Sequence, residues 1–241
     1  MTPVFRVSRA VTSSSGVAVD SRLCRLAEMA SPPSLAEERA NYLTHGAGAV
    51  FSLIAVVVLL RFAAARSAGT LLACSAYGFT LVLMFASSTA YHAVHLTNER
   101  AKRVLRVLDH SAIFLLIAGT YTALSLAVPQ GIAALALLLG VWLLSALGVA
   151  ALVRRRGHRP GGPLLCYLAL SALVALALPA LRGPLGARGL LLLSAGGVVY
   201  ALGVPFYLAR GLRYHHMIWH AFVLVASALH FWVVIRYVMQ G

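Results

Sequence analysis

Residues 110–153 read HSAIFLLIAGTYTALSLAVPQGIAALALLLGVWLLSALGVAALV, with not one Asp, Glu, Lys or Arg among them. A helix crossing the ~30 Å hydrocarbon layer needs about 20 apolar residues, so this run is too long for one crossing and long enough for two. Its middle carries Val128-Pro129-Gln130-Gly131, where proline removes a backbone donor and glycine lets the chain turn. The stretch therefore predicts two spans, 110–128 and 132–153, joined by a tight turn. Lipid admits only segments that close their own backbone hydrogen bonds, which makes these spans helices.

The same test applied outward gives 42–61 and 70–92 before this pair, and 164–182, 189–209 and 216–236 after it. The fold class is all-α: a polytopic membrane protein of seven transmembrane helices over residues 36–241. Composition agrees, since the 241 residues are 61% hydrophobic and only 11% charged. A soluble domain runs at about 25% charged. Residues 1–35 stand apart as a Ser- and Arg-rich tail, expected to lack structure of its own. Met29 within it is an alternative start, and the same composition also suits an organelle address.

The net charge of +14 is a topology signal. With the N-terminus in the cytosol, 15 of the 20 Arg and Lys fall on inside segments and 5 outside. That bias places the N-terminus in the cytosol and the C-terminus outside. No basic face interleaved with aromatics appears, so no nucleic-acid partner is expected. The only lysine, Lys102, lies in the segment between the second and third spans, read as a loop. No span can therefore form a retinal Schiff base, and no nucleotide-binding P-loop is present. Cys24, Cys74 and Cys166 form no CxxC pair; the last two fall in apolar runs and read as packing residues.

Ionisable groups inside spans are costly and mark function. His92 closes the second span, Asp109 opens the third, His216 and His220 open the seventh, and His45 lies near the start of the first. In the topology above all five sit at cytosolic ends. His216 and His220 are four apart and share a face, as do Ser88 and His92. Glu38, Asn41 and His45 share a face of the first span, which reads equally as an interfacial helix start or as support for the ligands. Three imidazoles beside a carboxylate make the ligand set of a catalytic zinc site, with a fourth position for water. The same set suits iron or manganese. Asp109 would take or orient the water's proton, and Ser88 would bond the water or a developing oxyanion. His230 lies about 20 Å beyond His216 along the helix, too far to share the ion. With Ser227 it reads as polar contact between helices. His95, His110, His158 and His215 read as head-group contacts or helix caps.

The segments EERANYLTHG, Ser88-x-x-x-His92, LDHSAIFLLIAGTYT and HMIWHAFVLVASALHF, in that order on seven spans, resemble the hemolysin III family. That family belongs to the progestin and adipoQ receptor superfamily, with the adiponectin receptors, and is related to alkaline ceramidases. The resemblance covers about residues 35–238. It implies zinc held by His92, His216 and His220 near the cytosolic side, with Asp109 and Ser88 around the metal-bound water. It also implies a cytosolic N-terminus and favours Met29 as the start. The family name points to cytolysis; the site points to hydrolysis.

Two classes follow. One is a zinc-dependent hydrolase of a lipid amide or ester, with membrane lipid as its partner. The other is a non-catalytic receptor, homeostasis factor or cytolysin whose metal clamps spans two and seven. A transporter relaying protons through His220 and His230 is a third and weaker reading. The expected location is the plasma (inner) membrane of a bacterium.

Overall fold

The computed structural model describes residues 33–94, 98–127, 129–155 and 162–238. Seven α-helices follow one another: α1 Leu35–Ala63, α2 Ala68–Ala93, α3 Glu99–Leu124, α4 Ile132–Arg154, α5 Gly162–Ala175, α6 Leu178–Leu208 and α7 His215–Val233. A π-helical turn, Val234–Val238, continues α7. Among the described residues there is no strand. Of the expected tail 1–35, residues 1–32, with Met29, lie outside the described residues, while Ser34 caps α1 and Leu35 opens it.

Capping chemistry places helix starts that hydropathy misses. α1 begins seven residues ahead of its expected apolar run, because Ser34 and Glu37 form a capping box. The Glu37 N–H donates to Ser34 Oγ (3.2 Å) and the Ser34 N–H to Glu37 Oε2 (2.9 Å), which satisfies donors the helix leaves open. α3 begins in the same way, with the Ala101 N–H donating to Asn98 Oδ1 (3.0 Å). Residues 99–108, expected as loop, are therefore the first turns of α3, and Lys102 lies on a helix. Charges hide this segment from an apolar window. Its helical period shows instead in Lys102 and Asp109, seven apart and both turned inward.

The expected fifth span, 164–182, is divided. α5 closes at Ala175, and Pro179 sits in the first turn of a new helix, where its missing N–H costs nothing. α6 is itself broken at Gly186, whose φ of 60° and ψ of −178° suit only glycine. α5 has 14 residues and spans about 21 Å at 1.5 Å per residue, short of the hydrocarbon layer. The other six helices are long and apolar enough to cross a membrane.

The outward faces identify the solvent. Leu53, Ile54 and Val57 on α1, Leu139, Leu143 and Leu147 on α4, and Leu191, Val198 and Leu202 on α6 are all exposed. Continuous apolar stripes of this kind on several helices face lipid, not water. The chain is an integral, multi-pass membrane protein. Inside, Tyr77, Leu81 and Phe85 of α2 meet Phe114, Tyr121 and Leu124 of α3, all buried. Small residues let the helices close up. A Cβ at Gly48 of α1 would land on the Phe85 ring, and one at Gly119 of α3 on the Thr80 side chain. α2 thus lies between α1 and α3, while α1 also meets α7.

Candidate metal centre

The end of α2 and the start of α7 come together over the first turns of α1. His92 of α2, His216 and His220 of α7 each turn a ring nitrogen into one group, and these atoms lie within 4.8 Å of one another. His92 and His220 are buried and His216 is half-buried. Ring centroids are 5.0 Å apart for His92 with His216, 5.0 Å for His92 with His220, and 4.5 Å for His216 with His220.

α1 settles which nitrogen two of the three rings offer. His92 Nδ1–H donates to Glu38 Oε2 at 2.5 Å, and His220 Nδ1–H donates to the Asn41 carbonyl at 3.2 Å. Both acceptors can only accept, so Nδ1 carries the hydrogen and the Nε2 lone pair is left to bind. His92 Nε2 is buried and has no hydrogen-bond partner among the described residues. Buried polar atoms are almost always partnered, so an orphan imidazole nitrogen facing two other imidazoles fits a metal ligand. Three imidazole nitrogens in one group are a donor set that would suit a transition metal such as zinc.

Glu38 is itself held. Its second oxygen accepts from Lys102 Nζ (2.8 Å), and the same ammonium donates to the Tyr91 carbonyl (2.8 Å) at the end of α2. The lysine also lies 4.3 Å from the Tyr91 ring centroid. A cation here covers an open helix-end carbonyl and compensates the buried carboxylate. Lys102 was used in the sequence only to exclude other chemistries. The signal that finds it is its seven-residue spacing from Asp109 on a helix that hydropathy does not report.

The remaining sequence candidates take different places. His45 stacks on His220 with ring centroids 3.5 Å apart, and both of its nitrogens lack partners among the described residues. Ser88 is buried one turn before His92, and its hydroxyl is also without a partner there. Asp109 is buried on α3, with its Oδ2 3.6 Å from His110 Nδ1, and does not join the three ligand atoms. Glu38 and Asn41 thus touch the ligand rings directly, while Asp109 stands further off. His230 is separate: its Nε2 bonds the Leu193 carbonyl of α6 at 3.2 Å. His215 bonds the Phe206 carbonyl (3.0 Å) and His110 the Arg106 carbonyl (2.9 Å), so both satisfy helix backbone. His95 and His158 lie outside the described residues.

A family model described as "Haemolysin-III related" matches residues 34–231. The chain belongs to that family. Among its haemolysin-III relatives, Hemolysin-3 of Bacillus cereus is 36% identical over 204 residues, 84% of this chain and 92% of that protein. The Hemolysin-3 homolog of Bacillus subtilis (strain 168) is 36% identical over 208 residues, 86% of this chain and 97% of that one. More distantly, the human Monocyte to macrophage differentiation factor is 26% identical over 213 residues, 87% of each chain. The matched span opens at Ser34, the α1 cap, and closes one residue past His230. It therefore contains the whole three-histidine cluster and all of the α1 residues that hold it.

Proposed function

We propose that this protein is a zinc-dependent hydrolase that acts on an amide or ester of a membrane lipid at the cytosolic end of its helix bundle. The protein then has seven crossings, the fifth made by α5 together with the turns of α6 before Gly186, with the N-terminus in the cytosol, the C-terminus outside, and a bacterial plasma membrane as its location. The observation that carries the proposal is the His92, His216 and His220 cluster, with Nε2 of two rings set free by hydrogen bonds from the other nitrogen. A zinc ion held there supplies a Lewis acid and lowers the pKa of a water toward about 7. Asp109 would take a proton from the water as the water oxygen bonds to the carbonyl carbon, and would pass it to the leaving amine or alkoxide as the C–N or C–O bond breaks. Ser88 donates its hydroxyl hydrogen to the carbonyl oxygen as charge develops there. Glu38 and Asn41 keep two imidazoles in the binding tautomer. Metal analysis of the purified protein, together with turnover of a ceramide-like lipid by wild type and His220→Ala, tests this. Bound zinc without turnover of any lipid amide or ester would defeat the catalytic part.

One observation favours a second reading. Asp109 lies outside the ligand group and has His110 as its near partner. A metal that only clamps α2 to α7 needs no base, and relatives are named Hemolysin-3, which fits a cytolysin as well as an enzyme. In that case Asp109→Ala leaves function intact and only the histidine changes destroy it. Loss of activity in a folded, zinc-loaded Asp109→Ala protein would rule the clamp out.

A further inference from the structure

Tyr214 ends the turn between α6 and α7, with φ 58° and ψ 18°. It is the one non-glycine residue with positive φ among the described residues. A side chain with a Cβ enters this left-handed region at a cost, and a bulky aromatic ring there must be held by its surroundings. No side chain caps α7. Yet Tyr214 fixes the start of the helix, because its carbonyl accepts the first helical bond, from the Ile218 N–H at 3.0 Å. His216 follows two residues later and His220 one turn after that.

What holds Tyr214 comes from the other end of the chain. Its N–H donates to Glu37 Oε1 at 3.1 Å. The other oxygen of that carboxylate accepts from the Ser34 N–H (2.9 Å) and from Ser34 Oγ (2.8 Å). The carboxylate is therefore anchored by the α1 cap and cannot follow Tyr214 if that residue relaxes. Glu38, the next residue, is rotated about 100° around α1 and grips His92 and Lys102 instead. Two consecutive glutamates thus tie one turn of α1 to both ligand-bearing helices.

We infer that Glu37 is a positioning residue for the metal centre: it holds Tyr214 in the left-handed conformation and so sets His216 and His220 against His92. The inference rests on the three histidines binding a metal. It goes beyond a capping role, since an ordinary cap would serve α1 alone.

The test uses the full chain, purified in detergent, stripped of metal and titrated with zinc against a chelator. Glu37→Ala binds zinc about tenfold more weakly than wild type, the low end of what losing a supporting partner costs. Glu37→Gln has one acceptor oxygen, which can serve either the Tyr214 N–H or the Ser34 cap, and so loses less than Glu37→Ala, which guards against reading a folding defect as a positioning effect. Tyr214→Gly stays near wild type, because glycine adopts positive φ freely. In that background Glu37→Ala loses much less than it does with tyrosine present. An equal loss in both backgrounds, or no loss in either, overturns the inference. Hydrogen exchange of the metal-free protein at residues 213–218 is a second readout. Faster exchange of the Tyr214 amide in Glu37→Ala supports the brace, and unchanged exchange overturns it. Wild type that binds no zinc defeats the metal reading alone, and the brace is then decided by exchange.

Discussion

Helix α7 carries inward-turned imidazoles in two settings, His220 buried and His230 half-buried. At its start, His220 gives Nδ1–H to the Asn41 carbonyl, stacks on His45 and faces His92 and His216. Three turns on, His230 bonds the Leu193 carbonyl and packs beside Tyr200, 5.6 Å between ring centroids. Tyr200 in turn bonds Ser227, 2.8 Å between the oxygens. A Cβ on Gly196 would strike the His230 ring, so α6 is shaped to receive it. Both histidines give one nitrogen to a backbone carbonyl. They differ in what the rest of the ring meets: other imidazoles with nitrogens within 4.8 Å in one case, a phenol and a glycine surface in the other. The lesson is that burial of a histidine does not mark a site; convergence of free lone pairs does.

That contrast can be broken most forcefully at His220. His220→Ala should weaken zinc binding more than about 100-fold, beyond the upper end of what losing a supporting partner costs, while His230→Ala leaves zinc content unchanged. Equal effects of the two substitutions in metal analysis would erase the distinction. Glu38→Gln comes next, with an expected 10- to 100-fold loss of zinc affinity by chelator competition. The amide can accept from His92 or from Lys102 through its one oxygen, but its NH2 must then face the other. Wild-type affinity in Glu38→Gln would show that tautomer control from α1 is dispensable. Lys102→Met is expected to act more on stability than on metal, by about 3 kcal/mol, since it leaves a buried carboxylate without its cation. A thermal melt in detergent reads this directly, and an unshifted midpoint would remove the ion pair from the account. The smallest effect belongs to the other region. Tyr200→Phe deletes one hydroxyl contact worth about 0.6 kcal/mol between membrane helices and should leave the zinc titration untouched.

Much of this is legible in the sequence. Long apolar runs located the helices, because 1.5 Å per residue against a fixed hydrocarbon thickness leaves little freedom. The four-residue spacing of His216 and His220 placed them on one face, and the grouping with His92 followed from shared depth. Hydropathy failed where a helix continues beyond lipid. Residues 99–108 are charged, so they looked like loop, yet they carry Lys102 into the site. It failed again at 176–186, where Pro179 and Gly186 divide a run that is apolar throughout most of its length. Ser34-x-x-Glu37 is a capping signature, and on its own it speaks only for the start of α1. What no window of sequence holds is the bond of Glu37 to Tyr214, 177 positions away.

The chain's single lysine is also buried, with 7% of its surface exposed. Apart from the amino terminus, the protein therefore presents amine-directed reagents with one target, pinned beneath the end of α2 and spoken for by Glu38. Labelling at that position becomes a clock for the site, advancing only in moments when the Glu38–Lys102 pair parts. A ligand that tightens the centre should slow it, and a substitution that loosens α1 should speed it. The residue that offers no handle for cofactor chemistry supplies a handle for watching the centre open.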